Sequence, residues 1–478
     1  MAPQIALDAV TVARWQFGFT AVYHYFFVPL TIGLTLLVAI LQTAWVRTDK
    51  EHYYRATRFW GKLLVINFAI GLVTGIVQEF QFGMNWSSYS RFVGDVFGAP
   101  LAIEGVAAFF IESTSVGLWM FGWGRLGRKT HLMTIWALHV GTLISSYFVL
   151  SANSWMQSPT GYTLNPDTGR ARLTDAAALL FQPTQVSTFL HVIVAAYTVA
   201  AALMAGISCH HLRRGRHQDV MRPSLRLGLV TMLICGLGMV VSGHALAKDM
   251  YEKQPLKMAV AEGQWRTQEH APFTVLGWPD ARGRTTYGAV EVPGLLSFLV
   301  HNDTGAEVPG IIELQKQARH QHGEGDWTPS VPIAFWNYRS MIALGMVSTV
   351  VGALGMWLTR RRDPSGMRWF HSLAVCTMFL PLVANASGWI FAEMGRAPWT
   401  VYGLLTMEDS VSRAVPAGSA LATLIGFVVL YGVLAVIEVR LMVKAAKAGP
   451  ADRPEEPRVP CEDSEPQADE DRALVFAY

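Results

Sequence analysis

The sequence predicts an all-α polytopic membrane protein with nine transmembrane helices, its N-terminus outside and its C-terminus cytoplasmic. Three observations lead there. Hydrophobic residues fill 51% of the 478 positions and charged residues only 15%, a balance foreign to soluble multidomain chains of this length. Apolar windows of about 20 residues, long enough to cross a bilayer as helix, recur near 13–42, 60–83, 101–122, 132–152, 186–208, 226–247, 337–358, 370–392 and 416–444. Lys and Arg gather in alternate connections, and cytoplasmic loops are the ones that collect them.

The connections justify the orientation in turn. Arg47, Lys50, Arg55 and Arg58 follow the first run; Arg125, Arg128 and Lys129 the third; Arg213, Arg214, Arg216, Arg222 and Arg226 the fifth; Arg360, Arg361, Arg362 and Arg368 the seventh. These loops are therefore expected inside. An odd number of spans then puts the termini on opposite sides. The N-terminus lacks a basic stretch followed by a short apolar core and a cleavage site, so the first run reads as a retained span. Residues 1–247 carry the first six spans, 248–336 a long outer-side loop, 337–447 the last three spans, and 448–478 a tail. The long loop contains Trp265, Trp278 and Trp327, aromatic content that argues for a folded, functional connection. The tail is Pro-rich and acidic and reads as disordered, cytoplasmic and without catalytic duty.

A net charge of +3 points away from nucleic acid as a partner. Cys209, Cys235, Cys376 and Cys461 are scattered without CxxC spacing, which excludes a disulfide framework, a zinc ribbon and c-type haem attachment.

Polar residues inside apolar runs carry the chemistry, because each costs free energy unless it has a partner or a task. Glu393 lies at the end of the eighth span, in Gly388-Trp-Ile-Phe-Ala-Glu-Met-Gly-Arg-Ala-Pro-Trp399. Its partner is either Arg396, three residues on, or a metal ion. His24, His191 and Met341 sit in spans one, five and seven. Together with Glu393 they place four potential iron ligands towards one side of the membrane. His and Met are axial ligands of low-spin haem, although a lone His or Met in a span is commonly a packing residue. Glu104 and Glu112 share the third span with no Lys or Arg to pair them. Eight residues apart, they fall roughly on one helix face, about 12 Å apart along the axis, a spacing suited to a proton relay. Glu79 and Asn85, at the outer end of the second span, are weaker candidates. Lys257 and Glu262 lie early in the long loop, next to the membrane interface. Their ordinary reading is a solvated amphipathic segment.

The segments around Tyr23-His24, Gln78-Glu-Phe-Gln-Phe-Gly83, Gly98-Ala-Pro-Leu-Ala-Ile-Glu104 to Ser113-Thr114, Gln254-Pro-Leu-Lys-Met258 and Gly388 to Trp399 resemble subunit I of cytochrome bd-type quinol oxidases. The resemblance runs in order from about residue 8 to 447. It implies a haem-bearing respiratory subunit of the bacterial cytoplasmic (inner) membrane that oxidises quinol outside and reduces dioxygen to water. Proton motive force would then arise by charge separation without pumping. It further implies that His191 and Met341 ligate a low-spin haem b, with Arg339 nearby. His24 and Glu393, with Arg396 beside the latter, would hold the two high-spin haems, one b-type and the other d-type or a further haem b. Trp389 would lie between redox centres. Lys257 and Glu262 would belong to the quinol loop, Glu262 accepting protons, while Glu104 and Glu112 deliver protons with Ser145 as relay. A second membrane subunit, a very small third subunit and surrounding lipid are the implied partners. The loop is short beside the longer version found in part of that family. The competing class is a proton-coupled transporter, which would pair broken helices around a midplane cavity; no internal repeat supports it. A structural subunit without haem is the third reading.

Overall fold

The computed structural model describes residues 8–360 and 367–451. Among them are nine helical segments long and apolar enough to cross a membrane: Ala9–Thr48, Glu51–Met84, Ser87–Phe121, Arg128–Gln157, Ala176–Leu212, Gln218–Lys253, Val331–Thr359, Arg368–Met394 and Ala417–Ala448. They are called spans 1 to 9 below. Most overrun the apolar windows by several residues at one or both ends, because polar flanks continue the helix beyond the hydrophobic stretch. Most of the tail expected at 448–478 lies outside the described residues.

Span 1 begins at Asp8, whose carboxylate accepts from the amides of Val10 and Thr11, an N-cap that satisfies two otherwise orphaned donors. Two spans expected to be continuous are broken, for one reason. Proline lacks an amide proton and its ring clashes with the carbonyl four residues earlier. Pro29 stands four residues after Tyr25, where the first helix of span 1 stops before Phe27–Thr48 resumes. Pro381 stands four residues after Thr377, the last residue of the first helix of span 8, before Leu380–Met394. Span 3 is interrupted differently, by a π turn at Glu104–Ala108 between Ser87–Ile103 and Phe109–Phe121.

Span 5 is the most enclosed of the nine and span 9 the least. A core of Leu34, Leu37, Trp60, Leu63, Leu64, Ile135 and Leu138 joins spans 1, 2 and 4. Small residues bring spans 5 and 6 together: a Cβ added to Gly228 would stand 2.8 Å from the Ala201 carbonyl oxygen, the kind of close approach that packs helices in lipid.

The connection between spans 6 and 7 starts at residue 254, later than the expected 248, since span 6 runs to Lys253. It is folded. A short helix, Pro255–Glu262, stops at Gly263 in the left-handed conformation (φ 65°), open to glycine without a Cβ penalty. An antiparallel hairpin follows, Phe273–Asp280 with Thr285–Val292, and then helices Leu295–His301 and Ile311–His322. Ala259, Val260, Ala261, Ile311 and Leu314 pack on Val331, Tyr338 and Phe391. The connection therefore seats itself on the ends of spans 7 and 8. That end of the bundle is called the loop end.

Candidate functional site

Span 8 is the post around which the candidate residues collect. Gly388 faces Met341 of span 7 so closely that an added Cβ would lie 2.8 Å from the thioether sulfur. One residue on, the Trp389 ring stacks on Tyr25, the neighbour of His24, with centroids 5.1 Å apart. One turn further, Glu393 receives two hydrogen bonds, from Arg396 Nη2 at 2.6 Å and from Asn153 Nδ2 of span 4 at 2.7 Å. The local ion pair is thus present, and each carboxylate oxygen still has a lone pair to offer.

The two histidines share one arrangement. His24 Nδ1 lies 3.0 Å from Thr74 Oγ1, and that hydroxyl donates its own proton to the Gly71 carbonyl. His191 Nδ1 lies 3.0 Å from Ser242 Oγ, which donates to the Gly238 carbonyl. Because each hydroxyl proton is already spent on the backbone, the oxygen accepts from the ring, so Nδ1 carries hydrogen and Nε2 keeps its lone pair. That tautomer presents Nε2 as a metal ligand, and such outer partners fix the orientation of ligating imidazoles.

The surroundings fit a flat iron tetrapyrrole. A glycine adjoins three of the four candidate ligands: Gly388 at Met341, Gly243 at His191, where a Cβ would stand 3.4 Å from Cε1, and Gly75 at His24, at 3.1 Å. Two buried guanidinium nitrogens, Arg339 Nε and Arg396 Nη1, have no acceptor, and buried donors seek one. Carboxylate side arms of a tetrapyrrole would supply it. Among the described residues no group of three or more His, Cys, Asp or Glu is placed to hold a metal ion. The four candidates come singly from four spans, a donor set suited to one or two axial ligands per iron.

Lys257 and Glu262 are not on a solvated segment. Both are buried, 6% and 1% exposed, because Pro255–Glu262 is pressed between the loop and the span ends. Lys257 Nζ donates to Gln157 Oε1 and to the Ala392 carbonyl, each at 3.0 Å. Burial, reinforced by Arg396 and opposed by Glu393, brings its pKa down to about 7. Glu262 Oε2 pairs with Arg339 Nη2 at 3.0 Å, while Oε1 has no partner. Its carboxyl is pushed up to about 7, since burial outweighs the attraction of Arg339. Arg339 also donates to the carbonyls of Thr274, at 2.5 Å, and Ala261, and its guanidinium lies 3.5 Å above the Phe335 ring. It ties loop to span.

Glu104 accepts from Ser145 Oγ at 2.7 Å, and Glu112 packs on Gly141, where a Cβ would touch its Cγ at 3.0 Å. Gly141 and Ser145 are one turn apart on span 4, so both carboxylates face one strip of that helix. The π turn contributes to this. It absorbs one extra residue, so Glu104 and Glu112 lie about two whole turns apart, closer to one face than an unbroken helix would place them. Asn85 donates to Gln16 Oε1 at the loop end, a packing contact.

Thr74, Ser242, Asn153 and Gln157 were not found from sequence. Each belongs to the site only through a span remote in the chain, and a single hydroxyl or amide in an apolar run gives no local signal.

The nine helices among the described residues that are long and apolar enough to cross a membrane define a multi-pass membrane protein. Residues 12–450 match the family described as cytochrome bd terminal oxidase subunit I, and the chain belongs to that family. It is 41% identical over 444 residues to the cytochrome bd ubiquinol oxidase subunit 1 of Bacillus subtilis (strain 168), covering 93% of this chain and 94% of that one. It is 36% identical to the cytochrome bd-II ubiquinol oxidase subunit 1 of Escherichia coli (strain K12), over 93% and 97% of the two chains. That alignment spans 501 positions, more than this chain's 478 residues, so the relative carries residues without counterpart here. The bd oxidase structure from Geobacillus thermodenitrificans superposes with a TM-score of 0.84 at 28% identity, covering 93% of this chain and 99% of that one.

Proposed function

We propose that this chain is the haem-bearing catalytic subunit of the oxidase, taking electrons from quinol at the outer face and reducing dioxygen to water. The observation that carries the reading is the pair of histidines whose Nδ1 is anchored by a hydroxyl on the next helix, leaving Nε2 for iron. His191 and Met341 hold the low-spin haem b, and His24 and Glu393 the two high-spin haems, b-type and either d-type or b-type. Haem, when bound, supplies the one-electron carriers and the open iron position for dioxygen. Arg339 and Arg396 orient its acidic side arms, and Trp389, stacked on Tyr25, fills the space between centres.

The chain's own residues handle the protons. Quinol binds against Pro255–Glu262, where Glu262, titrating near 7, accepts protons as the head-group is oxidised. Lys257, anchored on the Ala392 carbonyl, offers a buried donor to the quinone oxygen. Glu112 and Glu104, with Ser145, pass protons in the opposite sense towards Glu393. With the loop end outside, quinol protons leave to the outside and water-forming protons come from inside. Charge is then separated across the membrane without a pump. A second membrane subunit, and a very small third one, complete the complex in the bacterial inner membrane, with residues 254–330 as quinol-binding loop.

A reduced-minus-oxidised absorption spectrum of membranes carrying the chain tests this. A b-type α-band joined by a red-shifted d-type band is expected, or the b-type band alone if the third group is haem b. Absence of any haem signal in folded protein would sink the reading.

A further inference from the structure

At the end of the bundle away from the loop, span 9 finishes against the connection between spans 5 and 6. His211 Nε2 lies 2.7 Å from the Ala446 carbonyl, and Gly449 comes so near that an added Cβ would stand 2.8 Å from His217. Arg55 Nε donates to the Ala451 carbonyl at 2.9 Å. The described chain therefore ends on this connection. Beside it Arg213, Arg214, Arg216 and Arg368 rim an open, polar basin, all four exposed. Asp219, the acidic residue in the first turn of span 6 beside the basin, is already paired with Arg55 at 2.5 Å.

The chain that continues from this point carries Asp452, Glu455, Glu456, Glu462, Asp463, Glu465, Asp469, Glu470 and Asp471 against Arg453, Arg458 and Arg472. The family match stops at residue 450, so this acidic run lies beyond the matched region. We propose that residues 452–471 dock as an intramolecular strap on the basin rimmed by Arg213, Arg214, Arg216 and Arg368. Opposite charge draws the two together, and covalent attachment at Ala451 gives the acidic run a high effective concentration there. Fixed secondary structure in the strap is not required.

Cys461 is a built-in reporter. A second cysteine is introduced in the full-length chain at Gln218→Cys, which borders the basin and leaves every arginine in place, or at Lys129→Cys in the first turn of span 4. About ten residues separate Ala451 from Cys461, an extended reach of roughly 35 Å, so length alone does not confine the tail to the basin. After mild oxidation in phosphatidylcholine proteoliposomes, peptide mass spectrometry reads the disulfide formed. Docking predicts a 218–461 disulfide several-fold faster than 129–461. The preference should fall by about threefold or more in 0.5 M salt and in the triple variant Glu462→Gln, Asp463→Asn, Glu465→Gln. Equal rates at the two positions would overturn the proposal. So would loss of the 218–461 product when phosphatidylglycerol is included, which would assign the basin to lipid headgroups.

Discussion

At the residue scale, the hydroxyls that hold the imidazoles are the most exacting test of the site. Ser242→Ala removes the acceptor for His191 Nδ1 and frees the ring to turn. Outer-shell losses of this kind weaken metal retention about tenfold or more. The variant is expected to lose low-spin haem content and shift its α-band, while Ser242→Thr restores both; an unaltered spectrum in the alanine variant would remove Ser242 from the site. Glu262 makes a pH prediction. With its carboxyl near 7, it is charged and able to accept a proton above that value, and protonated below it. Quinol turnover should therefore fall as pH drops through about 7. Glu262→Gln should abolish that limb and lower turnover by about a hundredfold without loss of haem. The same sign governs stability: a carboxyl raised from 4.5 to about 7 favours the fold below 4.5 and loses that contribution as pH rises through 7.

Elements determine whether those residues meet. The Glu393 partner Arg396 was legible because i, i+3 spacing is written in the sequence, whereas Asn153 was not, since a partner 240 residues away leaves no local trace. The breaks at Tyr25 and Thr377 are encoded by Pro29 and Pro381, but an apolar window counts residues and ignores their missing amides. The π turn has no comparable signature; it shows only in the backbone, and it sharpens the alignment of Glu104 and Glu112. Glu112→Gln is expected to slow oxygen reduction even with artificial electron donors, leaving haem content intact, and normal rates in an oxygen-electrode assay would make Glu112 structural. Close helix contact gives a second prediction. Gly388→Val puts branched carbons where the Met341 sulfur lies, at 2.8 Å for the first of them, and overpacking of that kind costs about 1–3 kcal/mol or displaces the neighbour. The variant should reproduce Met341→Leu, both converting the low-spin signal to high-spin; a retained low-spin band in either would separate Met341 from iron.

Over the whole molecule, hydrophobic run length made the nine spans legible because the bilayer imposes a minimum of about 20 apolar residues on each. The long connection resisted reading: its hairpin and helices bury Lys257 and Glu262 by packing on spans 7 and 8, and burial of charged groups is set by tertiary contact, not by composition. Orientation is a question for the whole chain, since no single residue determines it. The short loops after spans 1, 3, 5 and 7, with the helix ends that flank them, are dense in arginine and lysine, and moving such charges outward is what the translocation machinery resists. On the proposed reading the long connection, with Glu262 and Lys257, is expected to face outward, and so are any protons released from Glu262. Cysteines placed at Lys50→Cys, beside span 2, and at Arg282→Cys, in the hairpin turn, report this directly in intact cells with a membrane-impermeant maleimide. Position 282 should label at once and position 50 only after the membrane is opened. The reverse pattern would turn the molecule over and place quinol oxidation on the side from which protons are consumed, so that turnover would separate no charge.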